Sequence, residues 1–383
     1  MKKINVIQFL PYFPPHKGGV ETVGEEIGKY WIKKDFGGFI NVVSYIEQDL
    51  QLDINEKILY QDKIIGYRKD GYEVLLVPSF ELINNFPVFK FWSEDYRLTK
   101  KYLNERILKS NDETMVFTHT RFFLSSLFGG IFARKNKLKW IHIEHGSDYV
   151  KLGSKIKTFL SVVYDKIIGR WIFRRADKLI GISGACRKFI NREFIDKQVD
   201  VFYRGLDLTN IDIDKSGDFK IVFVGRLVVL KGVVDLIEAY KLSGLKNELV
   251  IIGDGEERQN LQKISTGLNV KFLGFKDRDF VLDYLSKNNC VLVNPSYQEG
   301  MPTTVIEGLA TGCVVVGSDV GGTREITSED DLVLFERGDV SDLKEKLKRV
   351  LDEYEDLKGH SLLIIREKFD REVNVFSLYD LIK

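Results

Sequence analysis

Two glutamates stand eight positions apart in "NPSYQEGMPTTVIEGLATG", residues 294–312. Glu299 precedes a Gly-Met-Pro turn, and Pro302 suits the first position of a helix running through Ala310. In that helix Val305, Ile306, Leu309 and Ala310 face a core, while Thr303, Glu307 and Thr311 share another stripe, whose ordinary reading is a solvated face. Gly308 inside the same helix costs about 1 kcal/mol relative to alanine, and glycine-rich connections follow it, a composition that lets backbone approach a ligand. Farther upstream, "FVGRLVVLKG" delivers Arg226 and Lys231 to the start of a helix near Val233. A guanidinium and an ammonium beside helix N-terminal amides suit a diphosphate. Read alone, they are equally two ordinary loop cations.

Positioning these groups requires strands that end where the loops begin. "INVIQFL", "FINVVSYI", "YEVLLVP", "TMVFTH" and "KWIHIEH" read as buried strands in the first half, and "FKIVFVG", "ELVIIGDG", "VKFLGF", "CVLVNPS" and "CVVVGSD" in the second. Helix-period segments such as "ETVGEEIGKYWIKK" and "GVVDLIEAYKLSG" lie between them. The alternation predicts parallel sheets covered on both faces. Two such series in 383 residues predict two doubly wound domains. Apolar periodicity lapses in "YRGLDLTNIDIDKSGDFK", which places the boundary there. Open sheets of this kind bind ligands beyond the carboxyl ends of their strands.

Composition narrows the class. Hydrophobic residues make up 44% and charged residues 30%, an ordinary soluble balance. "VFTHTRFFLSSLFGGIFAR" is too polar for a membrane span, and "MKKINVIQFLPYF" reads as a first core strand instead of a cleavable signal. Cys186, Cys290 and Cys313 form no C-x-x-C pair, so neither a disulfide framework nor a zinc site is indicated and a reducing, cytoplasmic setting is expected. The net charge of +1 hides an asymmetry: 33 Lys+Arg against 24 Asp+Glu in residues 1–200, and 24 against 32 thereafter. Within the basic half, "KLGSKIKTFLSVVYDKIIGRWIFRR", residues 151–175 from Lys151 to Arg175, carries seven cations and one anion among apolar residues. It reads either as an amphipathic helix covering the core or as a face for an anionic membrane surface or acceptor, with the protein then peripheral on the inner face of a membrane.

"PSYQEGMPTTVIEGLATGCVVVGSDVGGTREI" resembles the E-x7-E signature of the retaining GT-B glycosyltransferases of family 4, also called glycosyl transferases group 1. Most of the chain follows the resemblance in order. "PPHKGGVET" is similar to the family's N-terminal Gly-Gly loop, "VFTHTRFFLSS" to its histidine region and "ADKLIGISGACRKFI" to its late first-domain strand and helix. "VFYRGLDLTNI" is similar to the interdomain segment, with Arg204 in place of the usual Asn. "VGRLVVLKG", "VIIGDGEER" and "FLGFKDRDFVLDYLSKNNCVLVNPS" continue the register, and "FDREVNVFSLYDLI" resembles the terminal helix.

The resemblance implies an α/β fold of GT-B architecture, with two Rossmann-like domains facing across a cleft and a C-terminal helix crossing back to the first. The expected domains are residues 1–205, with 366–383 returning to them, as the acceptor side, and residues 206–365 as the nucleotide-sugar side. It also implies that Glu299 bonds donor-sugar hydroxyls while Gly300, Met301, Pro302 and Thr303 line the same pocket. Glu307 would bind the ribose diol, where charge-assisted bonds are directional. Arg226 and Lys231, beside Gly225, would neutralise the leaving diphosphate, and Gly18 and Gly19 would let a loop approach the phosphates and sugar. His119 resembles the family's histidine at the donor sugar, against the alternative of a packed, satisfied ring. His145 and Asp148 are acceptor-side candidates, and His16, His142 and His360 read as structural or surface residues.

The expected activity is transfer of a hexose-type unit, with retention, from a nucleoside-diphosphate sugar to a sugar or lipid-linked acceptor. No side chain stands out as a covalent nucleophile, consistent with the front-side displacement proposed for the family. No cofactor is expected and no metal: the one Asp-x-Asp match, "DID" at residues 212–214, follows no strand. No nucleic-acid partner is expected either. Met301 and Pro302 in place of the family's frequent Phe-Gly, and Gly308 in place of a common Ala, leave the sugar open, and neither UDP nor GDP is excluded. A non-hydrolysing nucleotide-sugar epimerase and a non-catalytic sugar-nucleotide-binding module share the same layout. A Rossmann dehydrogenase is disfavoured because no strand-linked G-x-G-x-x-G is present.

Overall fold

The aliphatic and β-branched runs form strands buried on both faces, and the helix-period segments cover them. The computed structural model describes residues 2–14, 16, 18–46, 56–83, 86–150, 155–208 and 211–383. The chain divides into two units: Met1–Ile182, Cys186–Phe202 and Val375–Lys383 form one, and Ser183–Ala185 with Tyr203–Asn374 form the other.

In the first unit the described strands are β1 (Ile4–Leu10), β2 (Phe39–Tyr45), β3 (Lys57–Tyr60), β4 (Lys63–Lys69), β5 (Tyr72–Ile83), β6 (Phe86–Phe89), β7 (Glu113–His119), β8 (Lys139–Glu144), β9 (Lys178–Gly181) and β10 (Val199–Val201). They lie in the order β10-β9-β8-β7-β1-β2-β5-β4-β3, with β6 paired to β5. From β10 to β5 all neighbours are parallel, but β4 pairs antiparallel with β5, β3 with β4, and β6 with β5. The expectation of a purely parallel sheet is corrected there. The signal was local: Gln61 and Asp62, then Asp70 and Gly71, each hold two successive positive φ angles. That is the type I′ geometry a two-residue hairpin demands, and Asp-Gly is among its preferred pairs.

Strand order reverses between β1 and β7. β1 feeds β2 on one side and β7 feeds β8 on the other, so a crevice opens beyond Leu10 and His119. Behind this sheet Trp31, fully buried, packs against Phe36, Phe39, Phe117 and Tyr379 with ring centroids 5.3–6.1 Å apart. Tyr379 belongs to the terminal helix Arg371–Ile382. Its ring stacks on Phe36 at 4.2 Å and its hydroxyl donates to the Lys2 carbonyl at 2.7 Å. Lys139 and Lys178 donate to the carbonyls of Ile382 and Leu381 at 2.6 and 2.5 Å, satisfying acceptors that a helix end leaves orphaned. The expected return of the C-terminal helix to the first domain is therefore seen.

The second unit holds β11 (Gly217–Val224), β12 (Glu248–Ile252), β13 (Val270–Gly274), β14 (Asn288–Asn294), β15 (Val314–Ser318) and β16 (Leu332–Phe335). All pair parallel in the order β13-β12-β11-β14-β15-β16. Here the reversal falls between β11 and β14. The loops carrying Lys231 and Glu299 leave those two strands side by side.

In the basic stretch, residues 151–154 and the side chain of Lys155 lie outside the described residues. The remainder is a helix Lys155–Tyr164, a five-residue π turn Asp165–Gly169 and a helix Arg170–Arg175. Ile172 and Phe173 are buried, whereas Ile156, Phe159, Leu160, Val163 and Ile167 face outward. A core-covering role thus accounts for only part of its apolar content.

Candidate functional site

In the second unit, two loops are laced at the switch point. Tyr297 donates its backbone amide to the Leu230 carbonyl at 2.9 Å, and its hydroxyl to Asp235 at 2.7 Å in the first turn of the helix Val233–Ser243. Gly232 turns the chain with a φ of +63°, and a Cβ there would lie 2.1 Å from the Pro295 carbonyl oxygen. Only glycine meets both conditions. The turn sets Lys231 just ahead of the helix N-terminus, where unpaired amides attract anions.

Lys231 Nζ donates to Glu299 Oε1 at 2.6 Å. An ammonium has three donors, so this bond leaves Lys231 with donors for a further ligand. Arg226, on the same loop after Gly225, presents an exposed side chain. Gly300 accepts the Gly322 amide through its carbonyl at 3.0 Å, and Met301 is buried beside that contact. Pro302, expected at the first helical position, instead occupies the cap, and the helix begins one place later, at Thr303.

Glu307 departs from the solvated stripe its spacing suggests. It is buried, and Oε1 accepts from Arg278 Nε at 2.6 Å. Arg278 also donates to the Asp207 carbonyl at 3.0 Å. This partner stands 29 positions away and was missed by sequence reasoning, because nothing in "FKDRDFVL" marks one cation out. Gly308 has a packing reason as well: a Cβ would lie 2.5 Å from Leu292 and 3.3 Å from Val315, so the helix rides close on β14 and β15. Arg278 borders a cavity of about 500 Å³ whose wall includes Asp207, Asp212, Asp279 and Asp283. With four carboxylates against Arg278 and Lys287, that wall suits a diphosphate poorly.

The first unit assembles a different constellation at the ends of β7 and β8. His119 is fully buried. Its Nε2 lies 2.8 Å from Gln8 Oε1, and its Nδ1 3.0 Å from His145 Nε2. Gln8 Nε2 donates to Asn41 Oδ1 and to the Gly24 carbonyl, which fixes the amide's orientation. Its oxygen must then accept, so His119 carries its proton on Nε2 and receives one from His145 at Nδ1. Burial, with His145 and His142 nearby, holds the His119 ring well below the usual imidazole range. Both nitrogens are thus engaged inside the fold, the packed arrangement, and the ring reaching farther out is His145.

His142 is likewise internal. Trp140 Nε1 donates to Thr118 Oγ1 at 2.8 Å, Thr118 Oγ1 lies 2.8 Å from His142 Nδ1, and His142 Nε2 lies 3.3 Å from Glu144 Oε2. Asp148 accepts the Tyr149 amide at 2.8 Å, while its carbonyl accepts from Arg121 at 2.9 Å. Gly18 caps the helix Gly19–Lys33 with Gly19 as its first residue. In the "PPHKGG" loop Pro15 and Lys17 lie outside the described residues.

The family profile described as Glycosyl transferases group 1 matches residues 210–360, and that described as Glycosyltransferase Family 4 matches residues 65–210. An uncharacterized glycosyltransferase of Methanocaldococcus jannaschii, MJ1069, is 33% identical over 356 residues, spanning 85% of this chain and 83% of its own length. An Escherichia coli UDP-Gal:alpha-D-GlcNAc-diphosphoundecaprenol alpha-1,3-galactosyltransferase is 26% identical over 335 residues, spanning 79% and 81%. Among solved structures, sucrose-phosphate synthase from Thermosynechococcus elongatus superposes with a TM-score of 0.75 over 99% of this chain and 98% of its own, at 17% identity. That likeness carries the fold, the GT-B architecture.

Proposed function

The chain belongs to the glycosyl transferases group 1, family 4, and from that membership we propose that it moves a hexose-type sugar, with retention, from a nucleoside-diphosphate sugar to an acceptor hydroxyl. The observation that supports this reading is the pairing of each motif carboxylate with a cation: Lys231 with Glu299 at 2.6 Å, and Arg278 with Glu307 at 2.6 Å. A diphosphate set against Lys231, Arg226 and the helix N-terminus meets positive charge already oriented toward the oxygen on which negative charge grows as the sugar leaves. Glu299 then takes sugar hydroxyls and Glu307 the ribose diol. In a front-side displacement the acceptor hydroxyl attacks the anomeric carbon as its bond to phosphate breaks, and a departing phosphate oxygen takes the acceptor's proton. The E. coli relative acts on a diphosphate-linked lipid acceptor, which supports assembly of a surface polysaccharide or glycolipid.

The test is a panel of UDP- and GDP-sugars scored first by thermal shift, then by transfer. A donor at 100 times its dissociation constant adds about 2.7 kcal/mol to stability. Glu307→Gln should weaken donor affinity about 10- to 100-fold, as loss of a charge-assisted bond worth about 1.5–3 kcal/mol predicts, with a smaller change in turnover. Isomerisation of a nucleotide sugar in the absence of any acceptor would favour the epimerase instead. Binding without transfer to any acceptor tried would favour the binding module.

Positive charge on the leaving diphosphate comes, in this reading, from Lys231, Arg226 and backbone amides. Turnover should therefore persist in EDTA. An enzyme silenced by chelation and restored by manganese would overturn the assignment.

A further inference from the structure

The helical run after residue 154 turns an apolar stripe toward solvent. Ile156, Phe159, Leu160, Val163 and Ile167 are 75%, 66%, 59%, 38% and 64% exposed. Their spacing of i, i+3, i+4, i+7 and i+11 puts them on one helical face. The other exposed residues of residues 156–175 are Lys157, Lys166, Arg170, Arg174 and Arg175, all cations. The run's one carboxylate, Asp165, is buried and bonded to Arg121 at 2.9 Å, so it cancels none of this outward charge.

A second apolar group lies beside it. Tyr164 packs edge-on against Phe86 of β6 with centroids 6.1 Å apart. Strand β5, paired with β6, carries Leu82, 64% exposed, and Phe80, whose ring lies 6.0 Å from Trp92, itself 60% exposed. Scattered single exposed apolar side chains are normal, but a periodic stripe flanked by cations marks an interaction surface. A protein partner would need both an apolar groove and carboxylates at matching places. An anionic bilayer supplies both, acyl chains for the stripe and headgroup phosphates for the cations, and tryptophan favours the boundary between them.

We infer that residues 156–175 dock the first unit on an anionic membrane surface, the stripe entering the headgroup boundary and Lys166, Arg170, Arg174 and Arg175 contacting lipid phosphates. No helix among the described residues is long and apolar enough to cross a membrane, so the contact is interfacial.

The test is co-sedimentation of the full chain with vesicles of phosphatidylcholine alone and of phosphatidylcholine mixed with phosphatidylglycerol. It needs no sugar donor, so it stands or falls separately from the transferase reading. Binding is expected on the anionic vesicles only, and it should fall steeply as salt rises from about 0.1 M to about 1 M and the Debye length shrinks from about 10 Å to about 3 Å. Each cation near such a surface contributes about fivefold, so exchanging Lys166, Arg170, Arg174 and Arg175 for Gln should weaken binding several hundredfold. Exchanging Ile156, Phe159, Leu160 and Ile167 for Ser should also abolish it, with the circular dichroism spectrum unchanged because all four are exposed. Equal recovery on both vesicle types, or recovery on neither, would overturn the inference. So would a serine variant that turns a dimer into a monomer while vesicle binding persists, since the stripe would then serve a second copy of the chain.

Discussion

Lys231→Ala should lower turnover by roughly 10²–10³, the cost of removing one preorganised donor from a developing oxyanion, about 3–4 kcal/mol. Its effect on stability should be small. The Lys231–Glu299 pair keeps 26% and 12% of its side-chain surfaces exposed, so its contribution falls between the about 0–1 kcal/mol of a surface pair and the about 3–5 kcal/mol lost on breaking a fully buried one, at the low end because an ammonium at this edge keeps access to water. A loss of turnover far larger than the shift of the denaturation midpoint is thus the signature of a group acting on the leaving phosphate. Lys231→Arg keeps the charge but not the compact ammonium that Gly232 sets at the helix N-terminus, so it should restore activity only in part. Glu299→Gln combined with Lys231→Ala should cost less than the two single changes together, because the groups touch at 2.6 Å. Normal turnover in Lys231→Ala would return the residue to the status of an ordinary loop cation.

Much of this arrangement was legible in residue order. Strand and helix periods implied two α/β domains, and the loops of Gly18, His119, Lys231 and Glu299 follow strands at reversals of sheet order, because chain alternation and strand-end loops are written locally. What escaped depends on groups far apart in the chain. Glu307 looks like a solvated face on a helical wheel, and only Arg278, brought up by the preceding helix, accounts for its burial. His119 reads as a strand-end histidine, yet Gln8, 111 positions away, occupies one nitrogen. The antiparallel edge from β3 to β5 is a different kind of miss: its turn residues were visible at Gln61–Asp62 and Asp70–Gly71, but alternation with helices dominated the reading. The apolar residues of the basic stretch divide between core and solvent, a division periodicity alone does not settle.

The largest effect on stability is expected at Arg121, which no motif singled out. It is 1% exposed, donates at 2.9 Å to Glu144 Oε1, to Asp165 Oδ2 and to the Asp148 carbonyl, and lies over the rings of Phe189 and Phe194 at 4.7 and 5.3 Å. One guanidinium serves two buried carboxylates, and they share it unequally. Glu144 also accepts the Arg121 and Gly146 amides at 3.0 and 2.7 Å. Burial opposes its charge, but Arg121 outweighs it and holds Glu144 down to about 2. Asp165 has the one guanidinium bond and a buried Oδ1 without a hydrogen-bond partner, so burial prevails and its carboxyl is pushed up to about 6. Removing one partner of a buried pair typically costs about 3–5 kcal/mol, so Arg121→Ala should lower the unfolding free energy by that much. A loss below about 1 kcal/mol would contradict the geometry. The pH dependence separates the two acids. Glu144, lowered in the fold, contributes stability that is present above about 4.5 and lost as pH falls toward about 2. Asp165, raised from 3.8 to about 6, binds its proton more readily when folded, so its contribution falls as pH rises between those values and then levels off. His119 works against this trend, because its neutral folded ring costs stability as pH drops below 6.5. The wild-type curve therefore blends the two, but the difference between wild type and Asp165→Asn cancels the histidine. That difference should shift in favour of the variant by about 2 kcal/mol between pH 4 and 6, and a flat difference across the window would show that Asp165 ionises as an ordinary surface carboxylate does.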